Sequence, residues 1–104
     1  MFTVATTERF ESDAADIWSE AEIDELIVSI ARNPNQGDLI PGTGGLRKLR
    51  WARAGMGKRG GARVITYTID RDGKVWLLTA YAKAVLENLS AATLVKLRKE
   101  LIDD

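Results

Sequence analysis

A chain of 104 residues with 45% apolar and 29% charged side chains is long enough for one domain with a real core, too short for two, and too apolar to stay disordered. It has no cysteine and no histidine, which excludes a disulfide framework, a thiolate zinc site and a cysteine nucleophile, and removes the commonest general base and metal ligand together. The net charge is zero, but residues 1–38 carry −7, residues 39–69 carry +7 and residues 70–104 balance, an asymmetry that places a polyanion site on one face beside the alternative of a bipolar, self-solvating surface.

Taken in chain order, Phe2 to Thr6 is β-branched and aromatic and predicts a short strand. The opening Met1-Phe2-Thr3-Val4-Ala5 lacks the basic start and apolar stretch of a signal peptide. No apolar run is long enough for a membrane span, so a cytoplasmic protein with no membrane partner is expected, as one domain over 1–104. Residues 8–18 predict a polar helix ending near Trp18. Ser19-Glu20-Ala21-Glu22 is a capping box, and Ile23, Leu26, Ile27, Ile30 and Ala31 then form one helical stripe. Asn33-Pro34 ends that helix, and the glycines and prolines of 33–45 predict a loop.

In Leu46-Arg47-Lys48-Leu49-Arg50-Trp51 the alternation sets Leu49 and Trp51 on one face with Arg47, and Lys48 and Arg50 on the other. A second glycine-rich connection is expected over Gly55 to Gly61. Arg63 to Ile69 predicts a strand, Asp70-Arg71-Asp72-Gly73 a hairpin turn, and Val75 to Tyr81 a central partner strand. Ser90 caps a last helix in which Leu94, Leu97 and Leu101 share a face. The expected fold is α+β in the order β-α-α-β-β-β-α. Its antiparallel meander sheet would carry two N-terminal helices on one face and a C-terminal helix.

Gly55-Met56-Gly57-Lys58-Arg59-Gly60 matches the dinucleotide fingerprint G-x-G-x-x-G but lies between two strands instead of opening a helix. Gly42-Thr43-Gly44-Gly45 lacks the lysine-hydroxyl ending of a phosphate-cradling loop. The acids of residues 8–25 read as a solvated helix face, with no persuasive metal spacing. The basic strand says more. Lys48 and Arg50 project from one face, an antiparallel return brings Arg63 near them, and Tyr81 and Lys83 end the last strand at i and i+2. Such a cationic hollow with one phenol attracts a phosphodiester and stabilises the extra charge of a five-coordinate phosphoryl transition state. The competing reading is an edge strand whose charges deter aggregation.

The stretch Gly37-Asp38-Leu39-Ile40-Pro41-Gly42-Thr43-Gly44-Gly45-Leu46-Arg47-Lys48-Leu49-Arg50-Trp51 resembles the RelE/ParE superfamily of bacterial toxins, and within it the HigB-like branch of RelE-type mRNA interferases. The resemblance continues from Ala52 to Ile65 and returns at Ala80-Tyr81-Ala82-Lys83. The sequence departs from the pattern at Thr66, where an aromatic is common, and at the apolar Ala84-Val85-Leu86.

The resemblance implies the toxin of a type II toxin–antitoxin system. Such a toxin is a ribosome-dependent endoribonuclease that cleaves mRNA by metal-independent 2′-hydroxyl attack, needs no cofactor, and inhibits translation. Position by position it implies Lys48, Arg50, Arg63, Tyr81 and Lys83 as catalytic residues. Arg63 would carry transition-state charge and Lys48 would act as base or charge stabiliser. Arg50 would hold the backbone, Tyr81 would stack or give a proton, and Lys83 would support the leaving oxygen. Arg47, Arg53, Lys58 and Arg59 are expected to bind RNA. The partners implied are a helix-turn-helix antitoxin, the ribosome and mRNA, with operator DNA reached only through the antitoxin complex. A ParE-like gyrase poison and a non-catalytic RNA- or partner-binding module of the same fold are the alternatives.

Overall fold

The helices begin where side-chain oxygens meet otherwise free amides. In the computed structural model, which describes residues 1–53, 57–82 and 90–102, helix α1 (Glu8–Ile17) is capped by Thr7, whose hydroxyl accepts from the Phe10 amide at 3.0 Å. Helix α2 (Glu20–Arg32) carries the expected capping box. The Ser19 hydroxyl accepts from the Glu22 amide at 3.2 Å, and the Glu22 carboxylate accepts from the Ser19 amide at 3.0 Å. Helix α3 (Ala91–Leu101) starts from Ser90, whose hydroxyl accepts from the Thr93 amide at 3.1 Å.

The strands are β1 (Thr3–Thr6), β2 (Asp38–Leu39), β3 (Leu46–Arg53), β4 (Gly57–Ile69) and β5 (Lys74–Ala82). They form one sheet in the order β1-β5-β4-β3-β2. The fold is α+β, and β3, β4 and β5 make the expected antiparallel meander. Three features differ from expectation. First, β1 pairs with β5 in parallel, so the sheet is mixed. Second, the glycine-rich loop holds a two-residue strand, β2, antiparallel to Arg47–Lys48. Third, β4 starts at Gly57, so glycines 57, 60 and 61 lie in a strand where a connection was expected.

Packing explains the third difference. A Cβ on Gly61 would collide with the Trp51 carbonyl oxygen, so the missing side chain is what lets β4 close on β3 there. The dinucleotide-like motif therefore ends in a strand, which fits its rejection as a nucleotide fingerprint. The turn before β5 is a 3-10 turn over Asp70–Asp72, followed by Gly73 at φ +59°.

Both faces of the sheet are covered. On one, Phe10 and Ala14 of α1, Trp18 at its C-cap, and Leu26 and Ile30 of α2 bury against Leu49, Ala62, Val64, Val75, Leu77 and Ala80. On the other, Leu94 of α3 and Ile102 bury against Leu46, Ile65, Leu78 and Tyr81. Each fully buried aliphatic side chain contributes roughly 1.5–3 kcal/mol of transfer free energy. Trp18 also ties α1 to the sheet, its indole Nε1 donating to the Ala52 carbonyl at 3.0 Å. Among the described residues no helix is long and apolar enough to cross a membrane.

Candidate functional site

The meander register brings three of the expected residues into one row. Arg50 on β3 is the Cα partner of Arg63 on β4, and Arg63 is the Cα partner of Tyr81 on β5. Partners in an antiparallel ladder point to the same face, with Cβ atoms about 4.5–5.5 Å apart. Lys48, two residues before Arg50, is on that face one step along, opposite Ile65. It is the face that α3 covers, so it has two ends. Leu46, Ile65, Leu78 and Tyr81 are buried with Leu94 and Ile102, whereas Lys48 and Arg50 are exposed.

Arg63 sits at the boundary. It is 6% exposed, and its Nη1 donates to the Ala62 carbonyl at a long 3.5 Å. Among the described residues no carboxylate pairs with it; the ion pairs there are Arg9–Asp13 and Arg71–Asp72. A nearly buried guanidinium carries a desolvation cost that no carboxylate among the described residues offsets, and a second arginine directly opposite adds repulsion. An oxyanion between them would offset both, through short charge-assisted hydrogen bonds. Tyr81 is equally withdrawn, at 6% exposure; it is the register partner of Arg63 and buries with Leu78, Leu94 and Ile102.

Beside this row a hollow of about 360 Å³ is lined by Gly37, Asp38, Lys48, Leu49 and Arg50. Asp38 is the register partner of Lys48, so β2 adds a carboxylate to a cationic rim. Sequence reasoning missed Asp38. The available signal was Gly37, which adopts φ +86°, and whose Cβ would lie 2.6 Å from the Lys48 carbonyl oxygen. Glycine is thus required for β2 to approach β3. A larger hollow of about 620 Å³ lies elsewhere, along α2 between Asp24, Glu25, Val28 and Arg32, and holds none of the expected site residues.

Arg47 stands apart from the row. It is half-buried, its neighbours Lys48 and Leu46 point to the other face, and its Nη1 donates to the Gly37 carbonyl at 3.2 Å. That bond anchors the start of β2. Lys83 lies outside the described residues, as do the side chains of Arg53, Lys58 and Arg59, whose backbones run in β3 and β4.

The architecture defines the class: an α+β protein with the RelE fold. No family model matches the sequence. Among solved structures, the chain is similar to a double arginine-to-alanine mutant of the E. coli toxin RelE in the free state. The TM-score is 0.65 at 15% identity, covering 93% of this chain and 96% of that one. It is similar to isolated E. coli RelE toxin with a TM-score of 0.62 at 13% identity, covering 97% of this chain and 100% of that one. It also matches a chain of the intact E. coli RelBE toxin–antitoxin complex, with a TM-score of 0.57 at 16% identity over 79% of this chain and 96% of that one.

Proposed function

We propose that this chain is the toxin of a type II toxin–antitoxin pair and an endoribonuclease that cleaves mRNA on the ribosome. The observation that carries the reading is the row Arg50–Arg63–Tyr81 with Lys48 beside it, which runs on one sheet face from the exposed Lys48 and Arg50 of β3 to the buried Arg63 and Tyr81. The expected reaction is attack of a ribose 2′-oxygen on the adjacent phosphorus. The 2′-hydroxyl gives up its proton, the bond to the 5′-oxygen breaks, and that oxygen takes a proton. The products are a 2′,3′-cyclic phosphate and a 5′-hydroxyl.

In this reading Arg63 stabilises the charge that builds on the non-bridging oxygens. It is already desolvated, so its field is strong there. Lys48 takes the proton of the 2′-hydroxyl or adds a further stabilising charge. Arg50 holds the backbone. Tyr81 stacks on a base or gives the proton to the leaving oxygen, and Lys83 supports that oxygen. Arg53, Lys58 and Arg59 extend the contact to neighbouring phosphates.

The likeness to RelE and to a chain of the RelBE complex supports an antitoxin partner for this chain too. A helix-turn-helix type, encoded alongside and repressing the shared promoter, follows from the sequence resemblance, as does the HigB-like branch. The site of action would be the cytoplasm. Induced expression followed by primer extension on cellular transcripts tests the proposal. Cleavage within translated codons, lost in Arg63→Ala, is expected. Intact transcripts with a DNA-damage response would instead identify a gyrase poison, and salt-sensitive RNA binding without cleavage would identify a binding module.

A further inference from the structure

Tyr81 reaches the face it shares with Arg63 through an irregularity in β5. The ladder pairs Ile65 with Thr79 and Thr66 with Leu77, leaving Leu78 as an extra residue on β5. This is a β-bulge. Before it, Val75 and Leu77 bury on the α1–α2 face, while Trp76 and Leu78 pack on the α3 face. After it, Ala80 buries on the α1–α2 face and Tyr81 on the α3 face. Strict alternation from Leu77 would have turned Tyr81 to the opposite side. The bulge therefore decides which face carries the phenol.

The bulge occurs where β5 loses its outer strand. β1 pairs with Lys74 to Leu77 and no further. The cap residue Thr7 and side chains of α1 take over the edge. The Thr7 amide donates to the Leu77 carbonyl at 3.2 Å and the Thr7 hydroxyl donates to the Leu78 carbonyl at 2.7 Å. Asp13 Oδ2 accepts from the Thr79 hydroxyl at 2.6 Å and from the Ala80 amide at 3.3 Å. Arg9 Nε donates to the same Thr79 hydroxyl at 3.3 Å, and lies 3.8 Å from Asp13 Oδ2. Thr79 is 2% exposed, so its bond to a carboxylate is a shielded, charge-assisted one.

We infer that Asp13, with Thr79 as its anchor, is a positioning residue that locks the bulge at Leu78 and so holds Tyr81 on the cationic face beside Arg63. Asp13 makes no contact with the reacting atoms; it acts through β5. The inference rests on the reading of Tyr81 as part of the site. Asp13→Ala frees the Ala80 amide and the Thr79 hydroxyl together, and the end of β5 then slips toward regular alternation. Asp13→Asn keeps a carbonyl oxygen that accepts from this edge and preserves the lock.

The experiment compares wild type, Asp13→Ala, Asp13→Asn and Thr79→Val by two readouts. The first is NMR: exchange of the Ala80 amide, and cross-strand NOEs reporting the Val64–Ala80 and Arg63–Tyr81 pairs. The second is cleavage on mRNA-programmed ribosomes, with RNA affinity measured separately. In Asp13→Ala both pairs weaken, and turnover falls roughly 10-fold or more with affinity within about twofold, since displacing a reacting group by an ångström already costs that much. Thr79→Val shows a smaller loss, and Asp13→Asn stays near wild type. Retention of both NOE pairs in Asp13→Ala overturns the inference. Should that variant not fold, unchanged pairs and turnover in Thr79→Val overturn it equally. Should wild type cleave no RNA, the functional reading falls while the NMR arm still decides the lock.

Discussion

Arg50 and Arg63 are register partners across β3 and β4, and among the described residues neither is ion-paired to a carboxylate. A sheet does not gain stability from two guanidinium groups placed opposite one another, one of them 6% exposed. The arrangement is a local violation of what packing and charge would choose, of the kind found where a ligand completes the site. Replacing Arg63 with methionine, similar in length and uncharged, raises stability by about 1 kcal/mol and lowers RNA cleavage by at least ~100-fold. Urea unfolding and ribosomal cleavage measured on one preparation check the pair of effects. A large loss of stability in Arg63→Met would make Arg63 a structural residue instead.

Lys48 and Arg50 face solvent on the same side, so their contribution to RNA is expected to be electrostatic. Alanine at either position weakens single-stranded RNA binding across all sequences. It also flattens the slope of log affinity against log salt by about 0.7 for each phosphate left unneutralised. Titrations at several salt concentrations read this directly. An unchanged slope in both variants would place the RNA elsewhere.

Gly37 carries β2 and with it Asp38. At φ +86° with a carbonyl oxygen 2.6 Å from the would-be Cβ, Gly37→Ala costs about 1–3 kcal/mol of backbone strain and displacement. Because Asp38 pairs with Lys48 through this strand, the same variant detaches the acid from the hollow. Thermal melts record the cost, and faster exchange of the Ile40 amide, which donates to the Leu46 carbonyl at 2.9 Å, records the detachment.

The Ser19–Glu22 capping box lies on α2, away from the cationic row. Ser19→Ala removes the acceptor for the Glu22 amide and costs about 1 kcal/mol. That corresponds to a fall of roughly 4–8 °C in Tm for a domain near this size. Cleavage per folded molecule stays at the wild-type level, which separates a stability defect from a defect of the site.

What was legible in the sequence was local. The capping box depends on four adjacent residues, and the face of Lys48 and Arg50 follows from a period of two within β3. The proximity of Arg63 needed just an antiparallel return. What was not legible is set at long range. The lock on β5 joins Asp13 to Thr79 across 66 positions, and nothing in Leu77-Leu78-Thr79 itself marks a bulge. The sequence placed Tyr81 with the basic residues by its resemblance to a family and by its spacing from Lys83; the structure places it there through the bulge. The parallel β1–β5 pair and the two-residue β2 are likewise products of tertiary contact, which overrides the loop preference of the glycines around them.

The central chemical claim is that the cations of β3 and β4 handle a strained phosphodiester. End-group mapping of mRNA cut on ribosomes by the purified protein in the presence of a chelator tests it most directly. Fragments ending in a 2′,3′-cyclic phosphate and beginning with a 5′-hydroxyl, and absent with Arg63→Ala, are the predicted result. Fragments with 5′-phosphates, or cleavage that Arg63→Ala leaves intact, would contradict it.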